Sequence, residues 1–152
     1  MRRESNIAIG QNAGKDDLIR SGNQHSALDR KIVLVVEDIS SNYLLISAML
    51  SKHYNLLHAV NGEQAVAMVK EYKIDLLLMD MKMPVMDGLT ATAEIRKFDT
   101  NIPIVALTAH AFESDKVAAL KSGCNDYLVK PVDKARLMSV LRKYCHPSTL
   151  VL

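Results

Sequence analysis

Three carboxylates and one ammonium in this chain stand where unpaired charge is costly. Glu37 and Asp38 follow directly on the apolar run Ile32-Val33-Leu34-Val35-Val36, and Asp80 closes Leu76-Leu77-Leu78-Met79. Thr108 comes after Val105-Ala106-Leu107, and Lys130 after Tyr127-Leu128-Val129. An acid at the end of a buried segment needs something to neutralise it. Two carboxylates ~4 Å apart repel by roughly 4 kcal/mol at an effective dielectric near 20. Lys130 supplies one positive charge, and a hard divalent cation would supply the rest. Oxygen donors with no His or Cys beside them favour Mg2+, with Mn2+ as the alternative ion. A carboxylate set among a cation, a lysine and a threonine hydroxyl is equipped for phosphoryl transfer. One carboxylate attacks phosphorus, and the positive groups stabilise charge on the transferring oxygens.

These residues must be carried to one place by the elements that precede them. Apolar runs of strand length cover 32–36, 56–60, 74–79, 102–107 and 127–129. Helical spacing alternates with them: 40–52 with Ser40 or Ser41 as cap, 63–72 after Asn61-Gly62, and 88–98 opened by Asp87-Gly88. Two more helices cover 113–122, ending at Gly123, and a stretch capped by Asp133 that runs to Tyr144. Five strands alternating with five helices predict an α/β, doubly wound (βα)5 fold. The flavodoxin-like strand order 2-1-3-4-5 sets strands one and three side by side. Ligands in such sheets bind beyond the strand carboxyl ends where the winding reverses. That rim gathers Glu37, Asp38, Asp80, Thr108 and Lys130.

Residues 1–29 are polar and without periodicity and read as a linker or tail; the domain is expected over 30–146, with 147–152 as a short C-terminal tail. In the first helix, Asn42, Ile46 and Met49 are expected to face the core. The opposite face then presents Leu44, Ser47, Ala48 and Ser51, which carry no charge and read as a docking surface beside the site.

Composition sets the remaining bounds. A chain of 152 residues, 49% hydrophobic, suffices for one packed domain. The net charge of +2 and 5% aromatic content offer no nucleic-acid or membrane footprint. Cys124 and Cys145 have no metal-ligand spacing and read as buried or idle thiols in a reducing, cytoplasmic setting. No apolar stretch approaches the length of a membrane span. Among the histidines, His53, His58 and His146 read as structural, whereas His110 and Lys82 flank the expected site and read as modulators of phosphoryl lifetime.

The strings Val36-Glu37-Asp38, Leu78-Met79-Asp80-Met81-Lys82-Met83-Pro84-Val85-Met86-Asp87-Gly88, Ala106-Leu107-Thr108-Ala109 and Lys130-Pro131 resemble the receiver domain of two-component response regulators. The resemblance spans Lys31 to about Tyr144, in order, and is nearest in look to receivers of hybrid sensor histidine kinases. It implies that Asp80 accepts a phosphoryl group from a phosphohistidine. It implies Asp38 as a direct Mg2+ ligand, Glu37 as a ligand directly or through water, and the Lys82 carbonyl as a backbone ligand. Lys130, Thr108 and the Ala109 amide would hold phosphoryl oxygens, with Thr108 and Tyr127 as the switch pair. The Lys130-Pro131 bond is often cis in such domains. The implied partner is a histidine kinase or histidine phosphotransfer domain, with the receiver a monomer or weak dimer. The polar leader and the short stretch after Tyr144 suit a C-terminal fragment of a hybrid kinase, the alternative being a stand-alone regulator.

Three other functions share this topology. A flavin- or nucleotide-binding protein would want a Gly-, Ser- or Thr-rich cradle after strand one, where this chain has Glu37-Asp38-Ile39. A metal-dependent phosphatase would want a substrate cap. A degenerate receiver would lack part of the acidic set.

Overall fold

The computed structural model describes residues 29–147. The expected tails at 1–29 and 147–152 lie outside them except for Asp29 and Pro147. The strands are β1 (Ile32–Val36), β2 (Asn55–Ala59), β3 (Leu76–Asp80), β4 (Ile104–Thr108) and β5 (Asp126–Val129). The helices are α1 (Ser40–Leu50), α2 (Gly62–Glu71), α3 (Gly88–Arg96), α4 (Glu113–Ser122) and α5 (Lys134–Tyr144). All strand pairs are parallel, in the order β2-β1-β3-β4-β5, as the alternation predicted.

Every residue of β1, β3 and β4 is buried, the pattern of strands covered on both faces. Leu34, Val36, Leu77, Met79, Ile104 and Ala106 pack toward α2, α3 and α4. Val33, Val35, Leu76, Leu78, Val105 and Leu107 pack toward α1 and α5 through Ile46, Leu50, Leu137 and Leu141. Two cores thus clamp the central strands, and the strand ends cannot drift relative to one another.

Caps follow the sequence at three helices. Asn61, Asp87 and Asp133 accept the N–H of Gln64, Thr90 and Arg136 at 2.8, 2.8 and 2.9 Å. Gly123 ends α4 at φ +119, a conformation that favours glycine. Helix α1 departs from expectation. Its N-cap position is Ile39, with no side-chain cap, and Ser40 is already helical. The Ile39 N–H is taken instead by Glu37 Oε2, at 3.2 Å, so the site's own carboxylate organises this helix start. The core face is also wider than Asn42, Ile46 and Met49. Ile46 and Leu50 are buried, Tyr43 and Met49 pack against them, and Asn42 is half-buried. Strand two ends one residue early, leaving Val60 exposed at the turn into α2.

Both cysteines are buried and free. Burial pushes the Cys145 thiol up to about 11 and raises Cys124 as well. Both are therefore thiols at neutral pH. In native protein at pH 8, a thiol-specific reagent should modify them roughly 100-fold more slowly than in the denatured chain. Equal rates in the two states would show that this packing is not maintained in solution.

Candidate functional site

Parallel pairing brings all strand carboxyl ends to one edge of the sheet, and register aligns the last residues. Val36 lies opposite Met79, Asp80 opposite Leu107, and Thr108 opposite Val129. One step beyond β1 and β5 come Glu37 and Lys130, so Glu37, Asp80, Thr108 and Lys130 form a row across the rim. The Lys130 N–H donates to the Thr108 carbonyl at 2.7 Å and holds the β5 exit against β4.

Within the row, Lys130 Nζ lies 3.1 Å from both Glu37 Oε1 and Asp80 Oδ2. Asp80 Oδ1 accepts the Lys82 N–H at 3.2 Å. Glu37, Asp38 and Asp80 each offer an oxygen, and these atoms lie within 4.8 Å of one another. Glu37 is buried and Asp38 half-buried. The Thr108 hydroxyl donates to the His110 carbonyl at 2.8 Å, and Ala109 beside it is exposed. Tyr127 is half-buried in β5, with Lys116 Nζ from α4 over its ring at 4.9 Å from the centroid. His110 is exposed and stacks on Phe112. The Lys130-Pro131 bond is cis.

The loop after Asp80 folds tightly back on the site. The Gly88 N–H donates to the Met81 carbonyl at 3.1 Å, and a Cβ on Gly88 would overlap the Asp80 carbonyl oxygen. Val85 holds a positive φ of 75, which is unfavourable for a β-branched residue, inside a turn closed by Met86 N–H to the Pro84 carbonyl at 2.9 Å.

Electrostatics decide what this arrangement wants. Burial raises the Glu37 pKa, the Asp80 charge adds to the rise, and Lys130 offsets only part of it. Burial alone would lower Lys130, but its close contacts with the Asp80 and Glu37 carboxylates outweigh that and leave it raised. The signs have consequences for stability. The Lys130 contribution is fully present below the ordinary lysine pKa and lost as pH rises through its folded value. The Glu37 contribution is present below the ordinary carboxylate range and lost as pH rises, so ionised Glu37 is a cost near neutrality. One ammonium does not balance this cluster.

Two buried oxygens confirm the deficit. Asp38 Oδ1 has no hydrogen-bond partner, and Glu37 Oε1 meets the Lys130 ammonium without a well-aligned hydrogen bond. Oxygens that are buried, underpaired and gathered within one coordination radius fit a hard cation.

The family model for the response regulator receiver domain matches residues 33–142. The chain belongs to this family. The receiver of the sensor histidine kinase PA1611 from Pseudomonas aeruginosa superposes with a TM-score of 0.71 at 39% identity, covering 75% of this chain and 96% of that one. That receiver was crystallised with a magnesium ion in its active-site cleft. The receiver of yeast Ssk1, solved in complex with the histidine phosphotransfer protein Ypd1, gives 0.72 at 36% identity, covering 76% and 89%. Hybrid signal transduction histidine kinase M of Dictyostelium discoideum is 40% identical over 119 residues, 73% of this chain but 5% of that kinase. This receiver thus spans a small part of the curated relatives it matches.

One contact at the site was not foreseen. His58 Nε2 lies 2.8 Å from the Glu37 carbonyl, and its ring stacks on Tyr43. The outer face of α1, expected to serve for docking, also differs in detail. Leu44, 64% exposed, and Ala48 lie at the surface, Ser47 is half-buried, and Ile39 and Leu45 are exposed beside them.

Proposed function

We propose that this receiver takes a phosphoryl group from a phosphohistidine onto Asp80 in a Mg2+-dependent phosphorelay. The carrying observation is the charge pattern at the rim: three carboxylates against one ammonium, with an Asp38 oxygen buried and unpartnered. Asp38, Asp80, Glu37 and the Lys82 carbonyl would hold the ion. When bound, it supplies positive charge against the phosphoryl oxygens. A bond forms between an Asp80 carboxylate oxygen and phosphorus, the phosphorus–nitrogen bond of the donor breaks, and the imidazole departs with that electron pair. Lys130 neutralises charge on the transferring group, and Thr108 and the Ala109 amide offer donors to its remaining oxygens. Thr108 must then leave the His110 carbonyl, and Tyr127 must leave the Lys116 ammonium to turn inward. The chain is a phosphoacceptor rather than a free-standing enzyme, and the acidic turn after β1 disfavours a flavin.

The donor would be a histidine kinase or histidine phosphotransfer domain, docked on α1. This helix has no charged residue between Ser40 and Leu50 and exposes Leu44 and Leu45 beside Ile39. We read the parent protein as a hybrid kinase, the class of the Dictyostelium relative, with this domain at the cytoplasmic side. No helix among the described residues is long and apolar enough to cross a membrane. A Leu44→Glu variant should receive phosphoryl groups from a phosphorylated phosphotransfer domain about 10-fold more slowly, or worse, because a charge replaces an apolar anchor. Its labelling by acetyl phosphate should stay at the parent rate. Unchanged transfer from the protein donor would remove α1 as the docking face.

A further inference from the structure

Glu37 and Asp38 both lie past the last residue of β1, so their placement depends on what fixes a turn. Two contacts pin the Glu37 backbone, and both come from the edge strand β2. Its N–H donates to the Ala59 carbonyl at 3.0 Å, which continues the parallel ladder. Its carbonyl would next need a backbone N–H from two residues beyond Ala59. That donor would be the Asn61 N–H, but the chain turns away there, with the Asn61 side chain capping α2, and no such bond forms. The His58 ring takes its place, with Nε2 at 2.8 Å from the Glu37 carbonyl. A carbonyl oxygen carries no hydrogen, so Nε2 is the donor.

The ring is itself held. It stacks on Tyr43 with centroids 3.8 Å apart and planes 5° from parallel. Tyr43 sits in the first turn of α1, its N–H bonded to the Ile39 carbonyl at 3.1 Å. Thus a side chain of β2, clamped by one of α1, fixes the peptide that carries the buried Glu37 carboxylate and leads into Asp38.

We propose that His58, oriented by Tyr43, is a positioning residue for the acidic cluster and sets its affinity for a divalent cation. This rests on the reading of that cluster as a Mg2+ site. Groups that orient metal ligands from behind typically change affinity by about 10–100-fold when removed.

Calorimetric titration of the full chain with Mg2+ alone tests the proposal, with melting in chelator as the measure of fold. His58→Phe keeps an aromatic ring for Tyr43 and loses the donor; its affinity should fall about 10-fold. His58→Gln restores an N–H at a similar reach and should recover affinity to within about 3-fold of the parent. A merely structural role would lower both melting temperatures while leaving Mg2+ affinity alone. Tyr43→Leu retains the imidazole but frees it, and should weaken binding by about 3-fold; it decides the matter if His58→Phe does not fold. Parent-like affinity in a folded His58→Phe, or in Tyr43→Leu when His58→Phe does not fold, overturns the proposal and leaves the metal reading intact. Absence of Mg2+ uptake by the parent chain overturns both.

Discussion

Replacing Lys130 with Met should slow labelling of Asp80 by acetyl phosphate about 100-fold or more at saturating Mg2+, because one preorganised charge donor to a transferring group is worth roughly that much. Lys130 is the only ammonium among the described residues that contacts both Glu37 and Asp80, at 3.1 Å each. Met keeps the length and apolar stem but brings no charge to the phosphoryl oxygens. The fold should survive. Removing one partner of a buried ion pair ordinarily costs about 3–5 kcal/mol, but the Lys130 side chain is 23% exposed, so the loss should be smaller. Added Mg2+ should shrink it further by neutralising the stranded carboxylates. Labelling at the parent rate by a folded Lys130→Met protein would show that Lys130 is only a salt-bridge partner.

Gly88→Ala should be the most damaging single methyl in the site's scaffold. The new Cβ would overlap the Asp80 carbonyl oxygen and lie 2.9 Å from the Met81 Cα, both backbone atoms that cannot rotate away. Forced overpacking costs about 1–3 kcal/mol, and a clash with backbone belongs at the upper end. A fall of that size in chemical denaturation is expected, with weaker Mg2+ binding, since relief of the clash must shift the residue that bears Asp80. Parent-like stability would mean that the 81–88 loop is free to move off β3.

Much of this was legible from the residues because buried parallel strands have few ways to be written. Ile32–Val36, Leu76–Asp80 and Ile104–Thr108 are apolar on both faces, which only a covered sheet explains, and their final residues are where burial and charge collide. Asp80 and Thr108 were readable for that reason. The start of α1 was not. Ser40 and Ser41 have capping chemistry, but the helix begins one residue earlier, with Ile39 at the N-cap and its N–H on Glu37, an outcome set by tertiary placement. His58 was hidden for a different reason. Its acceptor is a backbone carbonyl on a neighbouring strand, and a main-chain acceptor leaves no mark on residue type or spacing. The breadth of the exposed patch on α1 was likewise unreadable. Leu44 falls on the outer face by helical spacing, but Leu45 gives no such sign until Tyr43, Ile46 and Leu50 turn to the sheet.

The central claim is that the crowded carboxylates serve to make Asp80 a Mg2+-dependent nucleophile toward phosphorus. Mass spectrometry of the protein incubated with acetyl phosphate, with and without Mg2+, tests it most directly. One phosphoryl group should appear only with Mg2+, map to the peptide holding Asp80, and be absent from Asp80→Asn. A label of equal yield in Asp80→Asn, or one indifferent to chelation of the metal, would contradict it.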